Sequence, residues 1–168
     1  MNKFTTSENG IRLITHYEGL KLHSYQDSTG IWTVGYGHTG HDVYPGQVIT
    51  QDHAEELLKS DLQKFENIIN THVTYSINQD QFDALVSFVY NVGPGLKNVK
   101  DGLIQLKSGI SSSLLRDVNN GNFFAASKDF LSWTRAGGVV LLGLVRRRKS
   151  ESTLFSFGYL DFERSNNA

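Results

Sequence analysis

The 168-residue chain contains no cysteine, only two prolines and a single methionine. Without cysteine there is no disulfide framework and no thiolate metal site, and the fold needs no oxidising compartment. Charge of either sign is not in excess: 16 Lys and Arg against 17 Asp and Glu give a formal net charge of -1. A general nucleic-acid binder carries a clear basic surplus, so that class is set aside. The one basic cluster is Arg146-Arg147-Arg148-Lys149. The N-terminal stretch MNKFTTSENGIRLITHYEGL has no apolar run long enough for a signal peptide or a membrane anchor. No repeat, low-complexity segment or dividing linker is present either. The expectation is a single domain, monomeric, without stable membrane insertion, that remains in the cytoplasm unless another agent lets it through.

What is present is an ordinary globular composition, 39% hydrophobic and 20% charged, enough to bury a sizeable core. Thr5-Thr6-Ser7-Glu8 fits a capping box. Ile11, Ile14, Tyr17 and Glu18 follow at helical spacing, which places Glu18 on the inward stripe, with Gly19 near the helix end. From Leu22 the period becomes alternating. His23–Asp27 and Ile31–Gly37 read as strands joined by Ser28-Thr29-Gly30. That pairing sets Asp27 opposite Ile31 and Tyr25 opposite Thr33. Asp27 and Thr33 then share one sheet face. The glycine-rich stretch Gly35–Asp42 carries the chain over the hairpin and lacks the spacing of a phosphate loop.

Thr50 reads as the cap of a long helix whose apolar stripe runs from Ala54 to Ile69. Ser76 or Asn78 opens a second helix, apolar around most of its circumference and stopped at Asn91-Val92-Gly93-Pro94-Gly95. Shorter helices are expected over Val99–Leu106, Ser111–Asn119 and Phe123–Thr134. A last one is expected from about Leu144 to Phe157, with a polar, frayed tail over Leu160–Ala168.

The chemistry concentrates between Glu18 and Thr33, spaced E-x8-D-x5-T. Two carboxyl groups in contrasting settings suit glycosidic hydrolysis. An acid beside an apolar stripe favours its protonated form, and one at an exposed turn favours the anion. A hydroxyl beside that anion can hold the attacking water. Each residue also has a plainer reading: Glu18 as an edge carboxylate paired with a cation, Asp27 as a turn residue bonding its own backbone. By chance the spacing arises in a few per cent of chains, taking each residue type at about 5%, so it is suggestive alone. His38 and His41 do not make a metal site, having neither cysteine nor a helix to align them. A histidine satisfied by a nearby carboxylate is the simpler reading. No metal or cofactor is expected.

Three stretches in order carry a resemblance: EGLKLHSYQDSTGIWTVGYGHTG from Glu18, FDALVSFVYNVGPG from Phe82 and WTRAGGVVLLGLVRRRKSES from Trp133. Together they resemble the phage lysozymes, or endolysins, of glycoside hydrolase family 24, from Gly10 to about Phe157. The resemblance implies a mostly α-helical α+β fold. A small hairpin-containing lobe (about 10–50) and a helical lobe (about 72–160) would be joined by a long helix (about 51–71). It implies a muramidase acting on peptidoglycan, with Glu18 as general acid and Asp27 and Thr33 positioning water in a reaction usually treated as inverting; with Asp27 as nucleophile it would retain, and a carboxyl separation of roughly 6.5–9.5 Å favours inversion, about 5–5.5 Å retention. It places Tyr36, Gly37, His38, Tyr90 and Asn91 at the cleft, Trp133 on its wall or in the core, and Arg146 against Glu18. Lys149 departs from the pattern, since relatives often carry an acid there. The implied setting is a host cytoplasm, with export through a holin-made pore at lysis.

Two other functions remain open on the sequence. A lytic transglycosylase cuts the same bond without water and can dispense with Asp27 and Thr33. A catalytically silent wall-binding module would keep only the fold.

Overall fold

The computed structural model describes residues 3–27 and 29–164. Helix α1 (Glu8–Glu18) starts after Ser7, which makes no side-chain cap bond. The expected capping box of Thr5 with Glu8 does not form, because the helix starts two residues later than that box requires, with Ser7 at the cap position. Thr6 donates its N–H (2.8 Å) and its hydroxyl (2.7 Å) to Glu66 Oε1. The Ser7 N–H donates to Asp83 Oδ1 at 3.0 Å. Tertiary partners thus replace a local cap. The helix stops at Gly19, whose φ of 70° suits a residue without Cβ.

Strands β1 (Lys21–Gln26), β2 (Trp32–Gly35) and β3 (His38–Thr39) form an antiparallel sheet in that order. Tyr25 pairs with Thr33 and Gln26 with Trp32. The Asp27 N–H donates to the Ile31 carbonyl at 2.9 Å. The expected register therefore holds. The one irregularity lies between Lys21 and Tyr25, upstream of Asp27. Ser28, part of the expected turn, lies outside the described residues. Tyr25, Asp27, Ile31 and Thr33 consequently share a face. Pairing of Thr33 with Thr39 brings β3 onto the same face. The third strand was not expected from the glycine-rich stretch. It forms because Gly35 (φ 66°) and Gly37 (φ 90°) turn the chain straight back.

Helix α2 (Gln51–His72) is capped by Thr50, whose hydroxyl accepts from the His53 N–H. Helix α3 (Gln79–Val92) opens on a complete Asn78/Gln81 capping box and stops at Gly93. Its Phe82, Ala84, Leu85, Val86, Phe88 and Val89 are fully buried. They meet Leu13 and Ile14 of α1, Val34 of β2, and Leu58 and Leu62 of α2 in one continuous core. The all-round apolar pattern correctly marks α3 as the central element.

No helix forms over Val99–Leu106. Gly95 (φ 90°) and Gly102 bring two backbone segments into contact. A Cβ on Gly95 would lie 1.8 Å from the Gln105 carbonyl oxygen, and one on Gly102 only 2.1 Å from Gly95 N. The apolar residues there belong to a tight, backbone-paired loop. Short helices α4 (Ser113–Asn119) and α5 (Phe123–Asp129) follow, then a 3-10 turn over Phe130–Ser132. Ala136-Gly137-Gly138 is the tip of a hairpin, β4 (Arg135–Ala136) with β5 (Val139–Val140). Helix α6 (Leu142–Phe157) packs on α3, and a short α7 (Asp161–Arg164) follows. The described part of the expected frayed tail is docked: Leu160 is buried and the Phe162 ring stacks on His16 at 3.9 Å. The fold is α+β and mostly helical. Among the described residues no helix is long and apolar enough to cross a membrane.

His38 ties β3 to α2. Its Nδ1 lies 2.7 Å from Asp61 Oδ2 and its Nε2 lies 3.1 Å from Asp42 Oδ2. Partial burial pulls the imidazole pKa down, but the carboxylates of Asp61 and then Asp42 outweigh it, and the net direction is up. A raised folded pKa gives stability that is complete below the unfolded value of about 6.5 and lost as pH rises through the folded value. The melting temperature is expected to fall as pH is raised from about 6 to about 9. His38→Asn should flatten that slope in thermal scans. An unchanged slope would show that the two contacts add nothing to folding.

Candidate active site

Glu18 ends α1 at the mouth of an open cleft of about 250 Å³, lined also by Gly37, Thr39, Asp61, Lys64, Phe65, Tyr90 and Asn91. The helix delivers Glu18 to this edge because Leu13 and Ile14, on the same inward stripe, are fully buried. The Glu18 side chain is 21% exposed, and its Oε1 accepts from Arg147 Nη1 at 2.6 Å. The other oxygen, Oε2, faces Gly37: a Cβ there would lie 3.6 Å from it. One oxygen is thereby fixed from behind, and the bare backbone of Gly37 keeps the space beside the other clear.

Asp27 stands at the end of the hairpin. Its Oδ1 accepts from the Thr29 N–H (2.8 Å), the Thr29 hydroxyl (2.7 Å) and the Ile31 N–H (3.0 Å). The Thr29 hydroxyl above all, then the two backbone donors, hold this carboxyl below the usual carboxylate range. Asp27 is therefore both turn residue and firm anion. Thr33 is nearly enclosed and donates its hydroxyl proton to the Ile31 carbonyl at 3.0 Å. Its oxygen keeps its lone pairs for accepting. Asp27 and Thr33 do not line the cleft at Glu18 directly. They share a sheet face with Thr39, which does.

Of the other residues singled out in the sequence, Tyr90 and Asn91 line the cleft with Gly37. The Tyr90 hydroxyl donates to the Tyr36 carbonyl at 2.8 Å, and burial drives its pKa upward. Its ring meets Phe65 edge-on at 5.1 Å. The Tyr36 side chain is buried and borders a separate depression beside Arg12 and Leu20. His38 is held by Asp61 and Asp42, behind the lining residues. Trp133 is half-buried, edge-on to Phe88 at 5.4 Å, and borders a larger groove of about 740 Å³. That groove meets the cleft at Asn91, which lines both. The arginine against Glu18 is Arg147, one position after the expected Arg146. Helix α6 begins at Leu142 instead of Leu144, and Arg147 lies on its buried stripe with Glu151 and Leu154, facing α3, whereas Arg146 lies off that stripe. Arg146 instead borders a depression with His16 and Tyr17.

Sequence reading missed Asp61, Lys64 and Phe65 as a lining set. Their i, i+3, i+4 spacing puts them on one strip of α2, but Lys64 reads as solvated surface until β3 is placed opposite. It also missed a buried network behind Glu18. Glu151, Arg148 and Ser87 are all at most 0% exposed, and Arg147 is 3% exposed.

This geometry finds counterparts among known proteins. A family model described as phage lysozyme matches residues 15–151. The endolysin of Bacillus phage B103 is 45% identical over 154 residues, covering 90% of this chain and 54% of that relative. The chain thus spans about half the length of that endolysin. The solved endolysin of Escherichia coli O157:H7 phage FAHEc1 superposes with a TM-score of 0.80 at 30% identity, covering 95% of this chain and 98% of the other. The muramidase domain of SpmX from Asticaccaulis excentricus superposes with a TM-score of 0.77 at 35% identity, covering 90% and 97%. A match over most of the chain, on a fold that places the conspicuous glutamate at a cleft, leaves one assignment: the chain belongs to the phage lysozyme family.

Proposed function

We propose that the protein is a peptidoglycan hydrolase that cuts the β-1,4 bond between N-acetylmuramic acid and N-acetylglucosamine. The observation that carries this is Glu18: a carboxyl group in an open cleft, one oxygen held by a buried guanidinium and the other left facing clear space. Glu18 gives its proton to the glycosidic oxygen as the C–O bond breaks. Positive charge then develops on the sugar ring, and the Asp27 anion stabilises it. A water accepted by the Thr33 oxygen adds to the opposite face of the ring and passes its proton to Asp27. The anomeric configuration inverts. The domain acts as two lobes bridged by α2, with peptidoglycan threaded between them.

The endolysin names of its relatives support a role in host lysis and phage release. In this reading the protein waits in the host cytoplasm as a monomer and reaches the wall through a holin-made pore.

Purified peptidoglycan should yield reducing ends with the unmodified protein and none with Glu18→Gln. A product one water lighter would instead indicate a transglycosylase, and inactivity of both proteins would indicate a binding module. Freshly formed product should be the α-anomer by proton NMR; a β-anomer would replace inversion with retention. Asp27→Ala should lose roughly 100-fold or more in kcat while remaining folded, since it removes charge stabilisation at the ring. Gly37→Ala should lower activity roughly tenfold, because it places a methyl beside Glu18 Oε2 at a φ that side chains avoid. Full activity of that variant would mean that the space at Gly37 is not used by substrate.

A further inference from the structure

A fully buried carboxylate lies one guanidinium away from the acid. Glu151 is 0% exposed, and three donors converge on its Oε1. These are the Ser87 hydroxyl (2.7 Å), Arg148 Nη2 (2.9 Å) and Arg147 Nε (3.2 Å). Its Oε2 lies 2.7 Å from Arg148 Nε, a charge contact off the line of that N–H. Arg147 and Arg148 sit four and three residues before Glu151, so one turn of α6 presents all three to α3.

The two arginines leave this carboxylate in different directions, and both reach the cleft. Arg147 uses Nε for Glu151, Nη2 for the Ser87 carbonyl (3.2 Å) and Nη1 for Glu18 Oε1 (2.6 Å). Arg148 shares Nη2 between Glu151 and Asn91 Oδ1 (3.1 Å), while its guanidinium lies 4.8 Å from the centre of the Phe88 ring. Charges alternate along the row Glu18, Arg147, Glu151, Arg148.

A buried ion-pair network is a poor source of stability, because desolvation offsets most of the attraction. What it supplies is geometry. A guanidinium is planar, so fixing Nε and Nη2 fixes where Nη1 points. We propose that Glu151 is a positioning residue for hydrolysis. Through Arg147 it sets the orientation of the Glu18 carboxyl group, and through Arg148 it sets the Asn91 amide on the cleft floor. This rests on the reading of Glu18 as the general acid, but the orientation itself can be measured without turnover.

Glu151→Gln keeps the shape and removes the charge. The ¹³C resonance of the Glu18 side-chain carboxyl should then move, although Glu151 and Glu18 bind different nitrogens of Arg147. In turnover, kcat should fall roughly 10- to 100-fold with KM little changed. In an Arg147→Met background the same substitution should leave the Glu18 resonance in place and cost less in kcat than it does alone, because its route to Glu18 is already cut and only the route through Arg148 to Asn91 remains. Ser87→Ala keeps every charge and removes one donor to Oε1. It should move the Glu18 resonance in the same sense by less, and it decides the matter if Glu151→Gln does not fold. A Glu18 resonance unmoved in whichever of the single variants Glu151→Gln and Ser87→Ala folds overturns the proposal, as does simple additivity with Arg147→Met. An unmodified protein that releases no reducing ends overturns the hydrolase reading, while the resonance still reports on Glu151.

Discussion

The ion pair between Glu18 and Arg147 is the contact on which the cleft depends. It joins the C-terminal end of α1 to the first turns of α6, residues 129 positions apart, at 2.6 Å. Neither side could present its group without α3. That helix is apolar enough to be surrounded, so α1 and α6 both pack against it and approach each other. Hydrophobic burial sets the distance between the two charges. The charges then fix an orientation that burial, being non-directional, cannot specify.

The sheet side is governed by backbone geometry. Three donors on one oxygen of Asp27 shape the hairpin end and also keep the group ionised. Gly35 and Gly37 fold β3 back onto β2, which brings Thr39 to the cleft and His38 against Asp61 of α2. The positions of Glu18 and of the sheet are thereby linked through α2 and α3 without any contact between Glu18 and Asp27.

Much of this was legible beforehand, for identifiable reasons. Local patterns fixed α2 and α3, because Thr50 and Asn78 are good caps and their apolar stripes are long. The hairpin register followed from alternation and a short turn, and the bulge fell where it did no harm. Failures came where distant partners override local preference. Glu66 and Asp83 take the N–H groups of Thr6 and Ser7, and α1 starts two residues later than a Thr5/Glu8 capping box would place it. The 95–106 stretch has helix-forming residues, yet Gly95 and Gly102 bind it into a loop. Among three adjacent arginines, the stripe that α6 buries against α3, running from Arg147 through Glu151 to Leu154, decides which one faces Glu18. The arrangement of Glu151 behind it depends on two helices meeting, which no single stretch of sequence encodes.

The burial of α3 has a consequence for motion. Tyr90 and Asn91 occupy the last turn of the most enclosed helix, so the cleft floor can shift only if the whole core loosens. The larger groove that adjoins at Asn91 has a different edge: Leu141 lines it, and Val139, Val140 and Leu142 beside it stand well exposed on a two-residue ladder and the first residue of α6. Asn91, which lines both, is thus a firm floor where the cleft meets a groove with a compliant edge, and any widening would fall to that edge.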